Sequence, residues 1–142
     1  MNKFLKLAPL LVIVAATGCR AGYSRQISVD TSRSDVQSDR PGHEDAILAA
    51  VEEVATRYAF RRQAVAGLGD RVVAGYTRAA VTEAGQEVSQ AIRVERGRED
   101  GQWHVVTSEH PIKTPSRAMG EVRQALNDAL RARLGRDAVQ AS

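Results

Sequence analysis

From Glu44 onward the apolar positions recur three and four apart. Ile47, Leu48, Val51, Val54, Ala55 and Tyr58 share one face, while Glu52, Glu53, Arg57 and Arg61 occupy the rest, the spacing of an amphipathic helix. Glu44 and Asp45 stand in its expected first turn, where carboxylates interact favourably with the helix dipole. Glu53 and Arg57 have the order of a stabilising i,i+4 pair, and Gly67 and Gly69 are the expected stop. A second helix is expected from Thr114, a capping residue, followed by Pro115 at the first helical position, where an N–H is not needed. Met119, Val122, Leu126, Ala129, Leu130 and Leu134 form its stripe, Gly135 ends it, and Arg136 to Ser142 are expected to fray.

Between the helices the period falls to two. Arg71 to Thr82 is rich in Val, Ala and Thr and contains Tyr76. Gln86 to Arg96 places Val88, Gln90, Ile92 and Val94 on one face. Gln102 to Ser108 places Trp103, Val105 and Thr107 on one face, His104 and Val106 on the other. The connectors Glu83-Ala84-Gly85 and Gly97-Arg98-Glu99-Asp100-Gly101 are short and turn-like, so the three strands are expected as antiparallel neighbours. Tyr23 to Val29 alternates as a short strand would, with a tether as the rival reading, and Asp30 to Gly42 reads as a linker rich in Ser, Asp and Arg. The order is (β)-α-β-β-β-α. The predicted fold class is α+β, a two-layer sandwich with two helices packed on one face of a small, mainly antiparallel sheet.

The first residues follow another pattern. Lys3 and Lys6 precede an uncharged, mostly apolar run of ten residues, Leu7 to Ala16. That is too short for a bilayer, which needs about 20 apolar residues, but it suits the hydrophobic region of a secretory signal. The run closes on Ala16-Thr17-Gly18-Cys19, and Cys19 is the only cysteine of the chain. Here the chain resembles the bacterial lipoproteins over residues 1–19, with Ala16 where leucine is usual. The resemblance implies cleavage before Cys19, diacylglycerol on its sulfur, and a further acyl chain such as palmitate on the new amino group. Because each buried methylene adds about 0.8 kcal/mol, two or more chains hold stably where one does not. Arg20 stands where aspartate would resemble an inner-membrane retention signal. The expected location is therefore the cell membrane, lipid-anchored, and the periplasmic side of the outer membrane where a cell has two membranes.

The expected organisation is a cleaved signal peptide over 1–18, a lipidated N-terminal segment over 19–42, an α+β domain over 43–135 and a tail over 136–142. Cleavage removes Lys3 and Lys6 and lowers the formal net charge from +3 to +1. Seventeen of the twenty basic residues are arginines scattered among Asp and Glu, without the basic stripe that nucleic-acid binding requires, so no nucleic-acid partner is expected. With no cysteine after Cys19, the domain has to be stabilised by its core rather than by disulfides.

Candidate chemistry is sparse. His43, His104 and His110 lack metal-ligand spacing, so no metal and no cofactor are expected, and no enclosed polar pocket should be lined by two of them. Ser24, Ser28, Ser32, Ser34 and Ser38 lack a glycine-flanked nucleophile elbow. Gly67-Leu68-Gly69-Asp70 closes a helix where a phosphate cradle would open one. Glu83, Glu87, Glu95 and Glu109 are the carboxylates from which a catalytic pair could come, and Trp103 is expected as a buried anchor of the sheet. The reading is of a non-catalytic interaction module, held to the membrane by lipid on Cys19 and docking onto an envelope protein, with a small-molecule ligand not expected. An alternative rests on element order: α-β-β-β-α led by a strand just after the cysteine, with the start Cys19-Arg20-Ala21-Gly22-Tyr23, is similar to the small lipoproteins that plug the lipopolysaccharide translocon. That likeness implies a transport or assembly accessory handling a lipidic ligand.

Overall fold

The computed structural model describes residues 22–37 and 39–141, so Cys19 and the signal-like segment lie outside the described residues. The elements are β1 (Tyr23–Asp30), a 3-10 turn (Thr31–Arg33), α1 (Arg40–Arg57), β2 (Arg61–Gln63), β3 (Val72–Val81), β4 (Glu87–Arg96), β5 (Gln102–His110), α2 (Arg117–Leu134) and β6 (Val139–Ala141). The strands form one antiparallel sheet in the order β2-β3-β4-β5-β1-β6. Both helices pack with it around a single core, giving the two-layer α+β architecture that the hydrophobic periods predict.

Strand register explains why the core is continuous. Across β3, β4, β5 and β1, Tyr76 faces Ile92, Ile92 faces Thr107, Val94 faces Val105, and Val105 faces Ile27. From the helices, Ile47, Val51, Val54, Met119, Val122, Leu126, Leu130 and Leu134 meet this face with no measurable exposure. Trp103 is buried in the same layer, and Arg96 lies 5.9 Å from the centroid of its ring.

β1 is a strand and not a tether. It pairs with β5 along all eight of its residues and with β6 at Ile27, Ser28 and Val29. Asp30 to Asp35 are docked through their backbone, and Arg40 to Gly42 belong to α1, so neither part of the expected linker is free. Asp30 N–H donates to the Ala138 carbonyl (2.8 Å), Thr31 N–H to Gly101 (2.9 Å) and Asp35 N–H to Leu134 (3.0 Å). Its polar residues act as local caps: the Asp30 carboxylate accepts from Ser32 N–H, and that of Asp39 from Gly42 N–H. Asp39 caps α1, whose first residue Arg40 lies four before Glu44, which moves Glu44 and Asp45 out of the first turn.

α1 also stops early, and not at Gly67. Ala59 takes a left-handed conformation (φ 60°), Phe60 N–H donates to the Ala55 carbonyl (2.8 Å), and Ala59 N–H donates to Thr56 (3.2 Å). These two bonds make a Schellman ending built on alanine instead of glycine. The chain then forms the unexpected β2, and Gly67 and Gly69 serve the β2–β3 connection, where Leu68 lies over Gly75. α2 is capped by Ser116, two residues after Thr114, and its side chain accepts from Met119 N–H (3.2 Å). Gly135 ends α2 at φ 93°, and a Cβ there would fall 2.3 Å from the Asp35 carboxylate.

The tail is not frayed. β6 closes the sheet against β1, and Ala138 and Val139 are each 1% exposed. Both edge strands, β2 and β6, are three residues long, a length that leaves little template for edge-to-edge aggregation. Burial of Val139 alone corresponds to about 1.5–3 kcal/mol. Truncation after Asp137 is therefore expected to lower the urea and thermal unfolding midpoints; equal midpoints would return residues 138–142 to the status of a loose tail.

Candidate functional site

Two polar constellations stand out, one on each face of the sheet. On the face away from the helices, Glu95 (β4), His104 (β5), Ser28 (β1) and Gln140 (β6) are successive cross-strand neighbours. Ser28 Oγ lies 3.5 Å from His104 Nδ1. Beside them an open recess of about 270 Å³ is lined by polar groups that include Asp30, Arg33, Gln102 and Asp137. The Asp30 carboxyl is held below its ordinary pKa, chiefly by hydrogen bonds from Ser32 and with help from Arg33.

A serine, an imidazole and a carboxylate in one row invite a catalytic reading, but the geometry does not favour it. A nucleophile and its base work at about 2.6–3.2 Å, and an acyl intermediate needs amide donors free to meet the oxyanion. Ser28 sits within ladders on both sides, and the amides of Asp30 and Thr31 already donate to Ala138 and Gly101. The recess can hold a polar group or the side chain of a partner.

On the helix-facing side a buried polar rung crosses the sheet. Arg78, Gln90 and Glu109 are register partners in β3, β4 and β5. Arg78 Nε donates to Gln90 Oε1 (2.5 Å), and Gln90 Nε2 donates to Glu109 Oε2 (2.5 Å). Glu109, with no exposure, also accepts from Ser116 N–H (2.7 Å) and Ser116 Oγ–H (2.6 Å). In a capping box the third helical residue accepts the N-cap amide. Here that residue is Met119, and Glu109 from the sheet takes over the role.

At the other end of the rung, Arg78 donates to the Tyr58 carbonyl at the end of α1 and lies 4.5 Å from the centroid of the Phe60 ring. Burial lowers the pKa of its guanidinium, while the charges of Glu109 and Tyr58 oppose that shift. A second tie to α1 is the Tyr76 hydroxyl, which donates to Glu52. Burial, reinforced by that hydrogen bond and the Glu52 charge, pushes the Tyr76 phenol from 10.0 up to about 12.

The other residues singled out by sequence are dispersed. His43 bonds the Val36 carbonyl through Nε2 (3.0 Å) at the start of α1. His110 ends β5, its Nδ1 buried without a partner and its ring filling the space a Cβ on Gly22 would need. Glu83 accepts from Arg117 N–H (3.1 Å), Glu87 opens β4, and Glu95 lies 3.9 Å from Arg93, so these carboxylates are not drawn into a pair with Glu109. Among the described residues no group of three or more His, Cys, Asp or Glu is placed to share a metal ion, and no helix is long and apolar enough to cross a membrane. Alternation already puts Ser28, Glu95 and His104 on one sheet face, but nothing local to them announces that β1 joins β5. No family model matches the chain, and neither the curated proteins nor the solved structures contain a significant match.

The rung should behave as a structural unit. Glu109→Gln turns an acceptor toward the Ser116 or Gln90 donors into an N–H, an expected cost of about 1–3 kcal/mol in urea unfolding, and Glu109→Ala should cost more. A double-mutant cycle with Ser116→Ala should show coupling above about 0.5 kcal/mol; additive losses would dissolve the unit. Tyr76 adds a pH dependence. The unfolded phenol ionises near 10.0 and the folded one near 12, so its contribution is complete below pH 10 and is lost as pH rises from 10 to 12. Tyr76→Phe should flatten that stretch of a Tm-against-pH profile, and an unchanged slope would assign it to other groups.

Proposed function

We propose that this chain is a lipid-anchored protein of the bacterial cell envelope whose α+β domain is a non-catalytic interaction module. One observation carries the reading: an apolar run closes on Ala16-Thr17-Gly18-Cys19, and a fully paired strand begins only four residues later, at Tyr23. The lipid on Cys19 supplies membrane attachment, so the domain needs no apolar surface of its own for that purpose. Two or more acyl chains make such an anchor stable. In a cell with two membranes, Arg20 after the cysteine favours the outer membrane, with the domain in the periplasm.

The interaction role draws support from how the polar groups are used. Glu109, Gln90, Ser116 and Arg78 are occupied in joining helices to sheet. The space between the layers is filled by side chains such as Ile27, Ile47, Ile92 and Leu126, all without exposure. A lipid-handling accessory would want that space open, so the interaction module is preferred. What the domain offers a partner is its exposed sheet face and the recess beside His104.

The test is a Cys19→Ala variant expressed in the native cell, with fractionation and mass analysis of the processed N-terminus. The expected outcome is loss of acylation and release of the protein from the membrane fraction. Unchanged membrane retention of the variant would sink the anchor, and full retention of the partners that co-purify with the wild type would separate docking from anchoring.

A further inference from the structure

The two ends of the sheet are chemically and positionally distinct. The register places the start of β1 (Tyr23), the end of β5 (Glu109 and His110), the start of β4 and the end of β3 at one end. The hydrogen bond from Arg117 N–H to Glu83 brings the N-terminus of α2 to the β3–β4 turn at that same end. The opposite end carries Asp30, the Gly97–Gly101 turn, the end of α2 and the His104 recess.

Only four residue steps separate Cys19 from Tyr23, which span at most about 14 Å even when fully extended. β1 cannot swing away from the domain to lengthen this tether. Tyr23 is 7% exposed and paired with Glu109, and the His110 ring occupies the space above Gly22. The seven steps from Tyr23 to Asp30 then carry the far end about 23 Å further away.

Resting on the reading of Cys19 as the lipid anchor, we propose that the Tyr23 end of the sheet docks on the headgroups of the membrane that holds the anchor. The opposite end, with the His104 recess, is thereby presented to partners. The recognised chemistry is lipid phosphate. Arg25, Lys113 and Arg117 are exposed at the docking end, against the carboxylates of Glu83, Glu87 and Glu121, the last of which lies 3.7 Å from Arg117, so Arg25 and Lys113 are the basic groups offered to phosphate. Lys113 is the only lysine beyond residue 18. Val81, the most exposed large apolar side chain among the described residues at 65%, lies at this end too. Basic groups gain from an anionic surface only within about a Debye length of it, a range that the short tether allows them to reach.

The test uses the full acylated chain in vesicles of phosphatidylethanolamine and phosphatidylglycerol. Because lipid blocks the thiol of Cys19, the chain's only cysteine, spin labels can be placed singly through Ala84→Cys and Arg98→Cys, in the turns at opposite ends of β4. Depth is read from accessibility to oxygen and to a water-soluble nickel complex. The expected result is an Ala84 label at headgroup depth and an Arg98 label in bulk water. With both Arg25→Glu and Lys113→Glu introduced, the Ala84 label should move toward water while circular dichroism stays unchanged. Equal water exposure of the two labels on protein whose N-terminal peptide carries the acyl mass overturns the orientation alone. An unmoved Ala84 label in the charge-reversed protein removes the phosphate contacts. Absence of the acyl mass overturns the anchor reading, and the docking with it.

Discussion

The buried carboxylate of Glu109 is the point at which the two layers are joined. A charge removed from water survives only if its lone pairs are met by donors, and Glu109 is met by Gln90 from a neighbouring strand and by both donors of Ser116. Through Gln90 it reaches Arg78, whose own donors reach the last carbonyl of α1. One row of polar side chains thus ties the end of α1, three strands and the start of α2. Apolar burial brings the helices onto the sheet, but it is non-directional. The rung supplies the direction and sets where along the sheet each helix begins or ends.

The place of β1 decides how the domain meets its surroundings. The strand that follows Cys19 is not an edge appended to a finished fold but lies between β5 and β6. Force or position applied at the N-terminus is therefore passed straight into the sheet through backbone ladders on both sides. An anchor joined in this way holds a defined end of a rigid body, whereas a long flexible linker would leave every face equally able to approach the membrane. The short leash and the paired strand together give the proposed module an orientation.

The fold was largely legible because most of it follows from local periodicity. The alternation through Val88, Gln90, Ile92 and Val94 and the stripe from Met119 to Leu134 identify both the elements and the faces they bury. The misplaced ends have specific reasons. The end of α1 was hidden because the left-handed position is filled by Ala59 rather than glycine. Its start was hidden because Asp39 caps it from within a segment whose polarity reads as linker. β2 and β6 were illegible since three residues are too few to show a period; they exist because β3 and β1 offer them a ladder.

The candidate sites divide along the same line. Composition and order along the chain, by themselves, determine the apolar run before Cys19, the lone Cys19, the absence of disulfides in the domain and the inward parity of Gln90. Only the tertiary structure could decide that Glu109 is a helix cap rather than a free carboxylate, or that Ser28 and His104, far apart in sequence, stand side by side. Periodicity reports which way a side chain points, because that depends on the backbone of its own element. It cannot report what the side chain meets, because that depends on which strands pair, and pairing is settled by the burial of the whole chain at once.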